Sequence, residues 1–159
     1  MNDPVVRSAE ESDAVILLGF MREYYAFDGH HFDEEKSAAA LIGLLRDQSL
    51  GRVWLILDRE TPVGYIVLTL GYSLELLGRD AFIDEFYLRE RYRGRGWGRK
   101  TLDFVEEEAR SLGVNSLHLE VTRPNSVAKR FYGKLGFEER EHHLMTKWIA
   151  GSFSKSAAT

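Results

Sequence analysis

The chain has 159 residues, 44% of them hydrophobic, and a formal net charge of -4; this gives one domain with enough apolar side chain for a single core and argues against a general nucleic-acid binder. It contains no cysteine, which excludes disulfides, thiolate metal ligands and an acyl-cysteine intermediate. Its longest apolar run, Val15 to Met21, is far short of a membrane span, and no secretory pattern is read, so the expectation is a soluble cytoplasmic protein without membrane or nucleic-acid partners.

Val5 and Val6 predict a short first strand. Ser12 or Asp13 then caps a helix on which Ile16, Leu17, Phe20, Met21 and Tyr24 recur at helical spacing. A second helix is expected over residues 33–46, with Ala38, Leu41, Ile42 and Leu45 on one face. Residues 52–58 and 63–72 read as a hairpin around Arg59-Glu60-Thr61-Pro62, with Gly64 marking a bulge. A strand follows over 82–88 and a helix over 98–112. Leu117, Leu119 and Val121 alternate as a strand that Pro124 ends, Asn125 or Ser126 caps another helix, and 143–149 reads as a last strand. Hairpins first and strand-helix units afterwards predict an α/β fold. The expected domain is residues 1–150, a mixed, mostly antiparallel twisted sheet flanked by helices, with a frayed tail at 151–159.

Chemistry concentrates where the strand at 82–88 turns into the helix at 98. Gly94, Gly96 and Gly98 let backbone N–H groups approach an anion, and the following helix aims its positive end at the same point. Two phosphate loops are excluded by one residue each. After Gly94 and Gly96 the third glycine of a dinucleotide fingerprint comes one place early, and Arg99 stands where a P-loop needs glycine before Lys100-Thr101. The arginines Arg89, Arg91, Arg93, Arg95 and Arg99, with Lys100, read either as a solvated surface or as partners for phosphate.

The pattern that fits, Arg93-x-x-Gly96-x-Gly98, resembles the pyrophosphate-binding motif of the GNAT superfamily of acetyl-CoA-dependent N-acetyltransferases. A second stretch, Asn125-x-x-Ala128-x-x-Phe131-Tyr132 to Gly136-Phe137, looks like that family's other coenzyme-binding region. The N-terminal third matches in pattern more than in residues. The resemblance implies a GNAT-like fold and acetyl-CoA as cosubstrate. It places coenzyme contacts at Phe86, Tyr87, Leu88, Arg93, Gly94, Arg95, Gly96, Trp97, Gly98, Arg99, Asn125, Ala128, Phe131 and Tyr132. It also makes Tyr132 the general acid that protonates the departing thiolate; the alternative for Tyr132 is a core aromatic beside Phe131.

An acceptor ammonium of pKa ~10.4 is free base in only about 1 part in 2,500 at pH 7, a handicap of about 4.6 kcal/mol. A proton acceptor is therefore needed, and Asp84 and Glu85 precede the glycine turn. Because strand side chains alternate, only one is expected to face the cleft; Glu85 is favoured, with Asp84 the alternative and strand-end solvation the bland reading. By the same resemblance the acceptor mouth falls at 24–33, where Tyr24, Tyr25, Asp28, His31 and Asp33 suit a cation. The adjacent pairs His30-His31 and His142-His143 cannot chelate as i,i+4 pairs do, so no metal is expected. The expected reaction is direct acetyl transfer to a primary amine, a small amine or polyamine. A protein amine acceptor and a non-catalytic acyl-CoA-binding module are the alternatives, and homodimerisation stays open.

Overall fold

Five strands and four α-helices make up the fold in the computed structural model, which describes residues 2–150. The sheet is formed by β1 (Val5–Ser8), β2 (Gly51–Asp58), β3 (Thr61–Ser73), β4 (Gly78–Leu88) and β5 (Ser116–His118), in that spatial order. All neighbours are antiparallel except β4 and β5, which run parallel. Helices α1 (Ala14–Asp28) and α2 (Glu34–Arg46) separate β1 from β2; α3 (Trp97–Ser111) joins β4 to β5, and α4 (Ser126–Lys134) follows β5. This is the single-domain α/β architecture, with a mixed and mostly antiparallel sheet, that the sequence predicts. The tail expected to fray, 151–159, lies outside the described residues.

The central strands feed two cores because their side chains alternate. On one face Val53, Leu55, Tyr65, Val67 and Tyr87 pack beneath Leu17, Phe20 and Met21 of α1 and Leu41 of α2. On the other, Trp54, Ile66, Leu68, Ala81 and Ile83 pack beneath Leu102, Val105 and Ala109 of α3. Burial on both faces is why β2 and β3 read as nearly continuous apolar runs.

Local differences from the sequence reading have identifiable causes. Asp13 does not cap α1 with its side chain: its carboxylate takes both ends of the Arg7 guanidinium at 2.9 and 3.0 Å and accepts from the Glu10 amide at 2.8 Å. A bidentate charged partner is stronger than an ordinary cap. The bulge expected at Gly64 falls on Val63, since Ile56 pairs with Gly64 and Leu57 with Pro62. The strand expected to reach Val121 stops at His118. Residues 143–149 join no strand, and Leu144, Met145 and Ile149 are exposed. Apolar residues there fall on both alternating faces (Leu144 and Trp148; Met145 and Ile149), so no single buried side fixes a register.

A second bulge positions the site. Val67 pairs with Glu85 and Leu68 with Ile83, leaving Asp84 as an extra residue on β4. Ile83 consequently packs in the α3 core, while Glu85, two residues on, faces the α1 side.

Candidate active site

β4 has a partner on its β5 side only at Asp80, Ala81 and Phe82; past the bulge, residues 83–88 have no strand beside them on that edge among the described residues. The chain leaves Leu88 through a short 3-10 turn, Glu90–Tyr92, and enters α3 through Gly94 (φ 68°) and Gly96 (φ 82°), both in the left-handed region. Gly96 is the N-cap of α3 and supplies no side-chain bond. The amides from Gly94 to Arg99 therefore have no acceptor among the described residues, and the Lys100 amide is the first to turn back, onto the Gly96 carbonyl at 3.1 Å. An open strand edge thus runs into a cluster of free N–H groups at a helix N-terminus, an arrangement suited to an amide-bearing arm ending in phosphate.

The predicted coenzyme residues divide once their side chains are placed. Trp97 is buried against Tyr92, with ring centroids 5.0 Å apart, so only its amide faces outward chemistry. Gly98 lies against α4: a Cβ there would lie 3.3 Å from the Phe131 ring. Asn125 caps α4 through its Oδ1, accepting from the Ala128 amide at 3.0 Å, which commits both residues to the helix start. Asn125→Ala is expected to cost about 1 kcal/mol of stability, read as a melting temperature about 2–4 °C lower.

The arginine cluster is largely engaged within the protein. Arg93 donates through Nε to the Leu88 carbonyl at 2.6 Å and lies over the rings of Phe27 (4.6 Å) and Tyr87 (5.5 Å). Arg89 pairs with Glu23 at 2.7 Å and covers Phe20, Arg91 lies over Tyr92, Arg99 sits 3.8 Å from Asp103, and Lys100 pairs with Asp3. Arg95 has no partner among the described residues. The sequence shows six cations around a turn; it does not show that neighbouring aromatics and acids engage five of them.

On the α1 side of β4 the acids and phenols converge. Tyr25 donates to Glu85 Oε1 at 2.7 Å and Tyr65 donates to Oε2 at 2.6 Å. Burial pushes the Glu85 carboxyl above its ordinary range, and the two phenols pull it back. Asp84, the extra residue at the bulge, has its carboxyl raised above the ordinary range by partial loss of water around it. Both carboxylates act on Tyr25, whose phenol is raised first by burial. Tyr24 is pushed up to about 12, by burial and then by Asp28, Glu85, Tyr132 and Asp84. Glu85 is tied to α1 by the Tyr25 bond, and Asp84, as the extra residue of the bulge, stands outside the strand alternation on which the expectation of a single cleft-facing acid rests.

Of the remaining acceptor residues, Asp28 lies 3.6 Å from His30, His31 is exposed, and Asp33 caps α2 by accepting from the Lys36 amide at 3.1 Å. Asp33 is thus occupied by a structural task. Tyr65 is missed by the sequence reading, although a tyrosine inside a buried strand always needs a partner for its hydroxyl. Glu23, which receives both Tyr87 (3.0 Å) and Arg89, carries no sequence signal. A cavity of about 1150 Å³ lies beyond α4, between β5 and residues 138–144, and shares only Tyr132 with this site. No cluster of three or more potential metal ligands occurs among the described residues, and no helix there is long and apolar enough to cross a membrane.

Comparison with known proteins bears on this geometry. The model of the Acetyltransferase (GNAT) family matches residues 17–137, the stretch that holds most of α1, the β4 acids, the glycine turn and α4. The chain belongs to the GNAT acetyltransferase family. It is 38% identical over 63 residues to the uncharacterized N-acetyltransferase YycN of Bacillus subtilis, covering 40% of each chain. To the thialysine N-epsilon-acetyltransferase of Bos taurus it is 34% identical over 77 residues, 48% of this chain and 45% of the relative. The chain thus spans less than half the length of these two relatives. Among solved structures, an integron cassette protein from the mobile metagenome of Cole Harbour Salt Marsh superposes with a TM-score of 0.82 and 35% identity, over 92% of this chain and 91% of the other. GNAT proteins use acetyl-CoA, and the open β4 edge with its free amides fits such a substrate.

Proposed function

We propose that this GNAT protein is an acetyl-CoA-dependent N-acetyltransferase that moves acetyl directly to the primary amine of a small cation. The observation that carries the reading is the unpaired edge of β4, which bears Asp84 and Glu85 and runs into the free amides of residues 94–99. The edge at 83–88 and the amides at 94–99 receive the pantetheine arm and pyrophosphate of the coenzyme. Phe86, Tyr87 and Leu88 act there through their backbone, and Gly98 lets Phe131 close over the turn.

Acceptor binding falls to Tyr24, Tyr25 and Asp28 with the β4 acids, an aromatic and anionic mouth that favours an ammonium. The likeness to an enzyme named for the ε-amine of thialysine supports a small amine over a protein side chain. The acid pair takes one proton from the ammonium. The freed nitrogen then attacks the acetyl carbon and the carbon–sulfur bond breaks. Tyr132 gives its phenolic proton to the departing thiolate and regains one from the new amide nitrogen, which must shed its second proton.

Thiol release from acetyl-CoA with a panel of small amines, polyamines and lysine peptides tests this. Turnover is expected with a small amine at rates well above the amine-free background. Binding of acetyl-CoA without turnover on any acceptor would make the chain a non-catalytic acyl-CoA module, and preference for the peptides would replace the small-amine acceptor.

A further inference from the structure

Both oxygens of Glu85 accept a phenolic hydrogen bond, whereas Asp84, its neighbour on the bulge, accepts none among the described residues. The two donors come from different elements. Tyr25 lies on α1, half-buried; Tyr65 lies on β3, only 1% exposed, its ring stacked on Phe20 at 6.2 Å and close to Tyr87 at 6.5 Å. So seated, Tyr65 has no freedom to turn elsewhere, and its phenol, raised far above its ordinary value by burial, is a permanent donor.

We propose that Tyr65, together with Tyr25, is a positioning residue that divides the acid pair: the two phenols hold Glu85 as a fixed carboxylate that seats the acceptor ammonium, and Asp84 is the group that takes its proton. This rests on the reading of the chain as an amine acetyltransferase. To accept a proton Glu85 would have to weaken one of two short hydrogen bonds, because a protonated oxygen is a poor acceptor. Asp84 has no such cost. Two carboxylates side by side also disfavour both being charged, and the one without donors is the one that gives way. The other titratable groups that interact with the pair are Tyr24 and Tyr25 of α1 and Tyr65 of β3, all neutral phenols at pH 7, with Asp28 and Tyr132 acting on Tyr24. No cation among them competes for Glu85. In the step itself an N–H bond of the ammonium breaks, Asp84 becomes a carboxylic acid and returns the proton to solvent through the open cleft, and the nitrogen keeps its lone pair for the acetyl carbon.

The test is a carboxyl ¹³C NMR titration of the full chain, which needs no acceptor. Asp84 is expected to titrate above Glu85. Tyr65→Phe, which keeps the ring and removes one donor, is expected to raise the Glu85 midpoint by about one pH unit, and Tyr25→Phe to do the same. Tyr25 is half-exposed on a helix, so this second variant answers the question even if the buried one folds poorly. A Glu85 midpoint above that of Asp84, or one unmoved in both variants, overturns the division. With the amine that the panel selects, Tyr65→Phe should raise KM several-fold and leave kcat nearly intact, whereas Asp84→Asn should lower kcat by roughly 10²-fold. The opposite split also overturns it. Failure of every amine to react would overturn the acetyltransferase reading instead, and the titration would still decide how the acids share their protons.

Discussion

Gly96→Val is expected to weaken acetyl-CoA binding by roughly 10²-fold while the chain stays folded. Gly96 holds φ 82° and ψ -4° as the N-cap of α3, a conformation that a β-branched residue adopts only under strain. Nothing lies within 4 Å of a Cβ built there, so a clash with neighbouring side chains is not the cause. The backbone is. To relieve a strain of about 1–3 kcal/mol the turn must move, and moving it scatters the free N–H groups of residues 94–99, which the proposed function gives to the pyrophosphate. The valine methyls would also stand over those amides. Gly113→Val is the matched control: Gly113 has φ 74°, is equally open, and lies at the other end of α3, about 22 Å away at about 1.5 Å per residue. Both variants should lose similar stability in thermal unfolding, and only Gly96→Val should lose affinity in titration calorimetry. Equal affinity in the two would remove the turn from the coenzyme site.

What could be read from the sequence follows how local each feature is. The glycine turn, the Asn125 cap and the two helices before residue 51 are written in residues a few positions apart, and the structure keeps them. The bulge at Asp84 is not local. It comes from how β4 registers against β3, and nothing in Phe82-Ile83-Asp84-Glu85-Phe86 distinguishes it from plain alternation. That single extra residue sets Glu85 on the side of α1 and takes Asp84 out of the alternation, so the site's most consequential feature was the least legible. The fates of the arginines are likewise tertiary: Arg89 meets Glu23 across 66 positions, and Arg93 lies over Phe27. Tyr65 sits between these cases. Its hydroxyl inside a hydrophobic strand signals a buried partner, but not which one.

Tyr132→Phe is expected to lower kcat by roughly 10²-fold at saturating amine, with the acetyl-CoA dissociation constant unchanged. The substitution removes one hydroxyl. The ring remains packed between Phe131 and Phe137, at centroid distances of 5.1 and 5.7 Å, so the position of α4 should not change. Because the hydroxyl bonds no described residue, its loss should cost little stability. The effect is placed at the low end for general acids because a thiol of pKa ~8.5 is already a fair leaving group. Burial raises the Tyr132 phenol above its ordinary value, so the hydroxyl stays a proton donor throughout the neutral range. Wild-type kcat should therefore hold through the ordinary phenol range and fall only at still more alkaline pH, and that decline should be missing in the phenylalanine variant. If kcat is unchanged, Tyr132 is a packing residue and the thiolate leaves unaided. If coenzyme affinity falls together with kcat, the hydroxyl binds the coenzyme and is not its acid.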